Sequence, residues 1–135
     1  MSDPKNELTK SWLIKARRDL ETAERLAKEP EPFFDTAIYH YQQAAEKVLK
    51  GFLVFNNKRF EKTHDLNVLI QLAMTINEKF SSLLDAGDIL TPYATTFRYP
   101  GEDAEPTKEE FDEATLSANK IYNFVLETLP KEVNP

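Results

Sequence analysis

The chain has no cysteine, and that one absence removes disulfide frameworks, thiolate nucleophiles and cysteine zinc sites together. Glycine is nearly as scarce, at three in 135 residues, which leaves no glycine-rich phosphate loop. Long hydrophobic runs are missing too. The longest, Phe52-Leu-Val-Phe55, is far too short to cross a bilayer, and the N-terminal segment alternates charge with single apolar residues where a signal peptide would carry an apolar stretch. No segment of strand length alternates with period two, and no internal repeat is visible. These absences lead us to expect a cytoplasmic, all-α protein without a membrane segment.

A broad cationic surface is also lacking. The net charge is −6 and the pI about 5.0, which opposes sequence-independent coating of nucleic acid. The average hides an asymmetry. Between Lys47 and His64 lie Lys47, Lys50, Lys58, Arg59 and Lys62 against Glu61, whereas Gly101 to Glu113 carries Glu102, Asp103, Glu105, Glu109, Glu110, Asp112 and Glu113 against Lys108. The first segment reads either as a local cationic pole able to take a phosphate or as a solvated face. Hydrophobic residues make up 41% and charged residues 30%, which supports one core in one domain over residues 1–135, its centre spanning about 8–129.

Apolar spacing defines the helices. Leu13, Ala16, Leu20, Ala23 and Ala27 predict a first helix over Lys5 to Lys28, ended by Pro30 and Pro32. A wider stripe, Phe34, Ala37, Ile38, Tyr41, Ala44, Ala45, Val48, Leu49, Phe52 and Phe55, predicts a central helix that touches several neighbours. Gly51 inside it implies either a close backbone approach or a local irregularity. Asn56-Asn57 reads as its exit. Leu66, Leu69, Leu72, Ala73 and Ile76 predict a third helix with Thr63 or Asp65 as N-cap, and an interrupted pattern from Phe80 to Arg98, broken by Gly87 and Pro92, predicts two short helices or one broken one. Thr107 and Glu110 form a capping box ahead of a last helix with Phe111, Ala114, Ala118, Ile121, Val125 and Leu129 inward. The expected fold is an antiparallel up-and-down four-helix bundle with an additional short helix.

On the central helix His40, Gln43 and Lys47 make a polar stripe, and Glu46 and Lys50 an i,i+4 pair; they form a solvated face, a partner interface or a ligand slot. Two histidines on different elements and no cysteine argue against a metal site; Asp85 and Asp88, or Glu102, Asp103 and Glu105, read first as turn acids. Aromatic residues follow core spacing, and Trp12 reads as core or interface.

Three segments in order, Ala37-Ile-Tyr-His-Tyr-Gln-Gln-Ala-Ala-Glu-Lys-Val-Leu-Lys50, Lys62-Thr-His-Asp-Leu66 and Phe97-Arg-Tyr-Pro100, resemble HEPN domains. The resemblance implies a homodimer that binds nucleotide, RNA or a minimal nucleotidyltransferase partner, in some cases within a toxin–antitoxin pair, with no cofactor. It also marks Arg98, Tyr99, His64 and the nearby Lys47 as ligand-binding candidates. Arg59-Phe-Glu-Lys-Thr-His64 is similar to the arginine-to-histidine motif with which active members are thought to cleave RNA without metal, making Arg59 and His64 catalytic candidates for a metal-independent endoribonuclease. A histidine near neutral pKa can move the 2′-hydroxyl proton, and an arginine can offset charge on the phosphorane. On a continuous helix the two positions would sit about 140° apart, so a loop must bring them together. In the later position, passing four to six intervening residues after Arg98 gives Asp103, Ala104 and Glu105, with no histidine. A dimerisation module without a ligand is the third reading.

Overall fold

Residues 3–28, 30–98, 100 and 105–135 are described by the structure, a computed structural model, and every regular element among them is helical. Helix α1, Pro4–Lys28, begins where Pro4 occupies the first turn and the Asp3 carboxylate accepts the Lys5 N–H at 2.9 Å. Its inward face is Leu13, Ala16, Leu20 and Ala23. Helix α2, Phe34–Phe55, is the central one, and more than half of it is buried. The Phe33 N–H donates to the Leu26 carbonyl at 3.1 Å, and at the far end the Lys5 ammonium lies 4.9 Å from the Phe55 ring centroid, so α1 and α2 run antiparallel. Gly51 sits against α1. A Cβ there would meet Leu13 Cδ2 and Trp12 Cβ, each at 3.2 Å, so close approach and not irregularity explains this glycine.

The chain leaves α2 through Asn57, whose φ of 54° turns it, with the Lys58 N–H returned to the Leu53 carbonyl at 2.9 Å. Asp65 caps α3, Leu66–Met74, by accepting the Asn67 N–H at 3.0 Å, while Thr63 accepts the Asp65 N–H. Helix α3 stops before Ile76 because the Ile76 and Asn77 N–H groups both converge on the Ala73 carbonyl. A 3₁₀ turn, Glu78–Leu83, leads into α4, Leu84–Leu90, and a second, Thr91–Ala94, starts around Pro92. The broken apolar pattern is therefore one run of short helical pieces.

Helix α5, Lys108–Thr128, opens with both bonds of the capping box, Glu110 N–H to Thr107 Oγ1 at 3.0 Å and Thr107 N–H to Glu110 Oε1 at 2.9 Å. Phe111 near its start packs on Phe34 and Tyr41, and Phe124 near its end meets Phe80, which packs on Phe52. The last helix thus runs in the same sense as α2, as the second and fourth members of an up-and-down bundle must. Helix α4 is the additional short helix. Among the described residues no helix is long and apolar enough to cross a membrane.

Candidate functional site

One face of α2 holds two ionic clusters. In the first, Asp19 projects from α1 on its buried side, and its two carboxylate oxygens receive His40 Nδ1 at 2.8 Å and Lys47 Nζ at 2.7 Å. His40 and Lys47 lie two turns apart on α2, so one carboxylate bridges them. Burial raises the Asp19 pKa, but the hydrogen bonds from His40 and Lys47, with the attraction of their charges, outweigh it and hold the carboxyl below its usual value. Because a carboxylate only accepts, His40 donates through Nδ1 and keeps Nε2 for another partner.

His40 also lines a groove of about 300 Å³ with Asp35, Thr36, Tyr39, Phe97 and Arg98. The Arg98 guanidinium carbon stands 4.1 Å from the Tyr39 ring centroid, within cation–π range. Phe97 precedes it with φ of 70°, a conformation that costs a non-glycine residue about 1–3 kcal/mol, and its ring stacks on Tyr93 at 5.9 Å. That turn sets Arg98 beside the start of α2.

In the second cluster Glu46 and Lys50 are both buried and 2.9 Å apart. The other Glu46 oxygen meets His64 Nδ1 at 2.8 Å, and the Gln42 amide donates to the His64 carbonyl at 3.1 Å. The Lys50 ammonium is 5.9 Å from the centroids of both Trp12 and Phe60. The Glu46–Lys50 pair is thus an internal element with no solvated character, and it ties the loop before α3 to the central helix.

The candidates from sequence separate accordingly. Lys47 joins the Asp19 cluster; His64 is bound to Glu46, with 67% of its side chain exposed; Arg98 lies in the groove with His40. Arg59 is exposed and lines a different groove with Phe60, Glu61, Val68 and Leu72, and no hydrogen bond or ion pair among the described residues joins it to His64. Tyr99, Glu102 and Asp103 lie outside the described residues. Asp88 accepts a hydrogen bond from Asn67, and among the described residues no three acidic or imidazole side chains gather to hold a metal. Sequence reasoning missed Asp19 and the role of Tyr39. The signal for Asp19 was present: it falls three residues after Ala16 and four before Ala23, inside the buried arc of α1, where an unpaired carboxylate would be costly.

Comparison with known proteins places the chain in a family and its fold among solved structures. The HEPN domain model matches residues 9–129. Among solved structures, the chain is similar to ST0689, an archaeal HEPN homologue, at 26% identity and a TM-score of 0.70, covering 89% of this chain and 96% of that one. It is also similar to TT1696 from Thermus thermophilus, at 29% identity and a TM-score of 0.72, covering 90% of this chain and 98% of that one. No curated protein matches it.

Proposed function

The chain belongs to the HEPN domain family, and from that premise we propose that it works as a homodimeric helical domain whose groove at Tyr39, His40 and Arg98 binds the phosphate of a nucleotide or RNA. The observation that carries this reading is the convergence of an arginine fork and an oriented imidazole on one groove. Arg98 offers planar donors to phosphate oxygens, and His40, fixed through Nδ1 by Asp19, offers Nε2. Tyr39, already under the guanidinium, supplies a face for a base or keeps Arg98 in place. Family membership also supports a minimal nucleotidyltransferase as protein partner, in the manner of a toxin–antitoxin pair.

The test is direct titration of single-stranded RNA and of mononucleotides into wild type, Arg98→Ala and His40→Ala at matched helicity. Loss of one charge-assisted contact of about 1.5–3 kcal/mol corresponds to roughly a tenfold to hundredfold weaker affinity. Affinities equal to wild type in both variants, or no binding by any form, would remove the reading; in the second case a ligand-free dimerisation module is what is left.

A second reading, metal-independent endoribonuclease, is favoured by the Asp19–His40 bond, which leaves an imidazole nitrogen poised for proton transfer beside Arg98. It requires RNA cleavage that persists in excess chelator. Loss in His40→Ala would assign the proton transfer to this groove, and loss in His64→Ala or Arg59→Ala would assign it to the loop before α3.

A further inference from the structure

Helix α1 has a side that neither the core nor the groove at Arg98 uses. Leu8, Ser11, Trp12 and Lys15 recur at three and four residues and so share that side, and Lys47 of α2 completes with them a groove of about 410 Å³. Its wall is largely apolar: Leu8 is 52% exposed, and Trp12, the single tryptophan of the chain, is half-buried. The indole is braced from α2, with Gly51 leaving room for it and the Lys50 ammonium 5.9 Å from its centroid. The charge of the groove is of one sign. The grooves at Arg98, at Arg59 and at the end of α5 are lined in part by Asp35, Glu61 and Glu127 respectively, whereas this one has two lysines and no acid on its wall, in a chain of net charge −6. The two lysines differ. Lys47 gives one of its three ammonium donors to Asp19 at 2.7 Å, while Lys15 is exposed and makes no hydrogen bond or ion pair among the described residues. Asp19 does not cancel this charge toward a ligand, because it is buried behind Lys47 and both of its oxygens are taken.

We propose that this groove binds a small amphipathic carboxylate, its acyl chain laid on Leu8 and the Trp12 indole and its carboxylate on the Lys15 ammonium and a remaining donor of Lys47. Each half of such a ligand answers one half of the groove. Covering Leu8 and Trp12 removes apolar surface from water, and a charge-assisted bond to an ammonium favours a carboxylate over a neutral head group. A nucleotide base fits the wall less well, because a base is fixed by placed donors and acceptors. Ser11, the one uncharged polar side chain there, already donates its hydroxyl to the Glu7 carbonyl at 3.0 Å. The site shares no lining residue with the groove at Arg98, so it does not rest on the function proposed above.

Because Trp12 is the only tryptophan, its emission reports on this groove alone. Hexanoate, octanoate and decanoate are titrated into the full chain at neutral pH and below their micelle concentrations, with octanol, acetate and adenosine monophosphate alongside. The expected result is a blue shift as the acyl chain displaces water from the indole, with affinity rising about twofold to fourfold per added methylene. Acetate should give no shift, and octanol should bind about tenfold more weakly than octanoate. Lys15→Glu, at an exposed position with no bond to lose, is expected to weaken octanoate by about tenfold and to leave octanol unchanged, a split that general damage to the groove would not produce. Leu8→Gln should weaken both by similar factors. Octanoate binding no better than octanol, or unmoved by Lys15→Glu, overturns the proposal, as does the absence of both a spectral shift and calorimetric heat with all three acids. So does adenosine monophosphate acting on Trp12 at lower concentration than octanoate. An emission maximum that moves with protein concentration before any ligand is added overturns it as well, since the groove would then be covered by a second copy of the chain.

Discussion

At the scale of single residues the two buried acids, Asp19 and Glu46, organise the chemistry. Since the folded Asp19 carboxyl titrates below its usual 3.8, its ionised form favours folding. That contribution is complete above the ordinary value and fades as pH falls through the lower folded one. Asp19→Asn should lose about 1–3 kcal/mol at neutral pH through its weakened bonds to His40 and Lys47. On acidification below pH about 4 its melting temperature should fall less steeply than that of wild type, and equal slopes in thermal scans would contradict the assignment. Glu46 poses a different test, because its removal leaves Lys50 buried and unpaired. Glu46→Ala is expected to cost about 3–5 kcal/mol in urea unfolding, whereas Glu46→Leu/Lys50→Met should come back to near wild type, as replacement of a buried pair by apolar residues usually does. Glu46 and Lys50 also show what the sequence could and could not say. Their i,i+4 spacing was legible, but burial depends on Trp12 and Phe60, which arrive from α1 and from the loop before α3, and no helical spacing encodes that meeting. Arg98 and His40 are brought together for the same kind of reason, by a left-handed turn at Phe97 that no spacing rule announces.

The elements themselves were far more legible, since each long helix repeats its apolar signal over several turns and is closed by local chemistry. Thr107 and Glu110 are an instance: Thr107→Ala removes the side-chain acceptor for the Glu110 N–H and should destabilise the protein by about 1 kcal/mol, measured by chemical denaturation. The short elements were harder to read because packing, not propensity, sets them. Gly87 in α4 faces α3 so closely that a Cβ would lie 2.2 Å from Asn67 Oδ1 and 2.8 Å from Ile70 Cδ1. Asn67 could move only by giving up its bond to Asp88, and Ile70 is fully buried. At Gly51 the nearest atoms stand at 3.2 Å, where a few tenths of an ångström of adjustment suffice. Alanine gains about 1 kcal/mol of helix propensity at either site. That gain should roughly offset the contact at Gly51, while at Gly87 overpacking of about 1–3 kcal/mol should exceed it. Gly87→Ala is therefore expected to be the less stable of the two variants, and the reverse order of urea midpoints would show that α3 and α4 are free to part.

Across the whole molecule, the charge count along the sequence overstates the cationic pole. Of the five basic residues from Lys47 to Lys62, Lys47 is committed to Asp19 and Lys50 to Glu46, and both acids lie outside the segment in which the excess was counted. What faces solvent there is Arg59, Lys62 and the half-buried Lys58, beside an exposed Glu61. The Arg98 groove is small, about 300 Å³, and Asp35 is among its lining residues. A groove of this size is expected to take one phosphate, or two at most. Counterion release then gives a quantitative expectation: for single strands the slope of log affinity against log salt is about −0.7 per neutralised phosphate, so RNA binding should show a slope between about −0.7 and −1.4. The measurement is fluorescence anisotropy of a short single-stranded RNA from 50 to 300 mM salt, a range taken as roughly spanning physiological ionic strength. Arg98→Ala should bring the slope toward zero, because it removes the fixed cation of the groove. A slope of about −4 or steeper in wild type would mean that five or more phosphates are neutralised, which would move the binding surface away from the Arg98 groove and onto a face formed only when copies of the chain assemble.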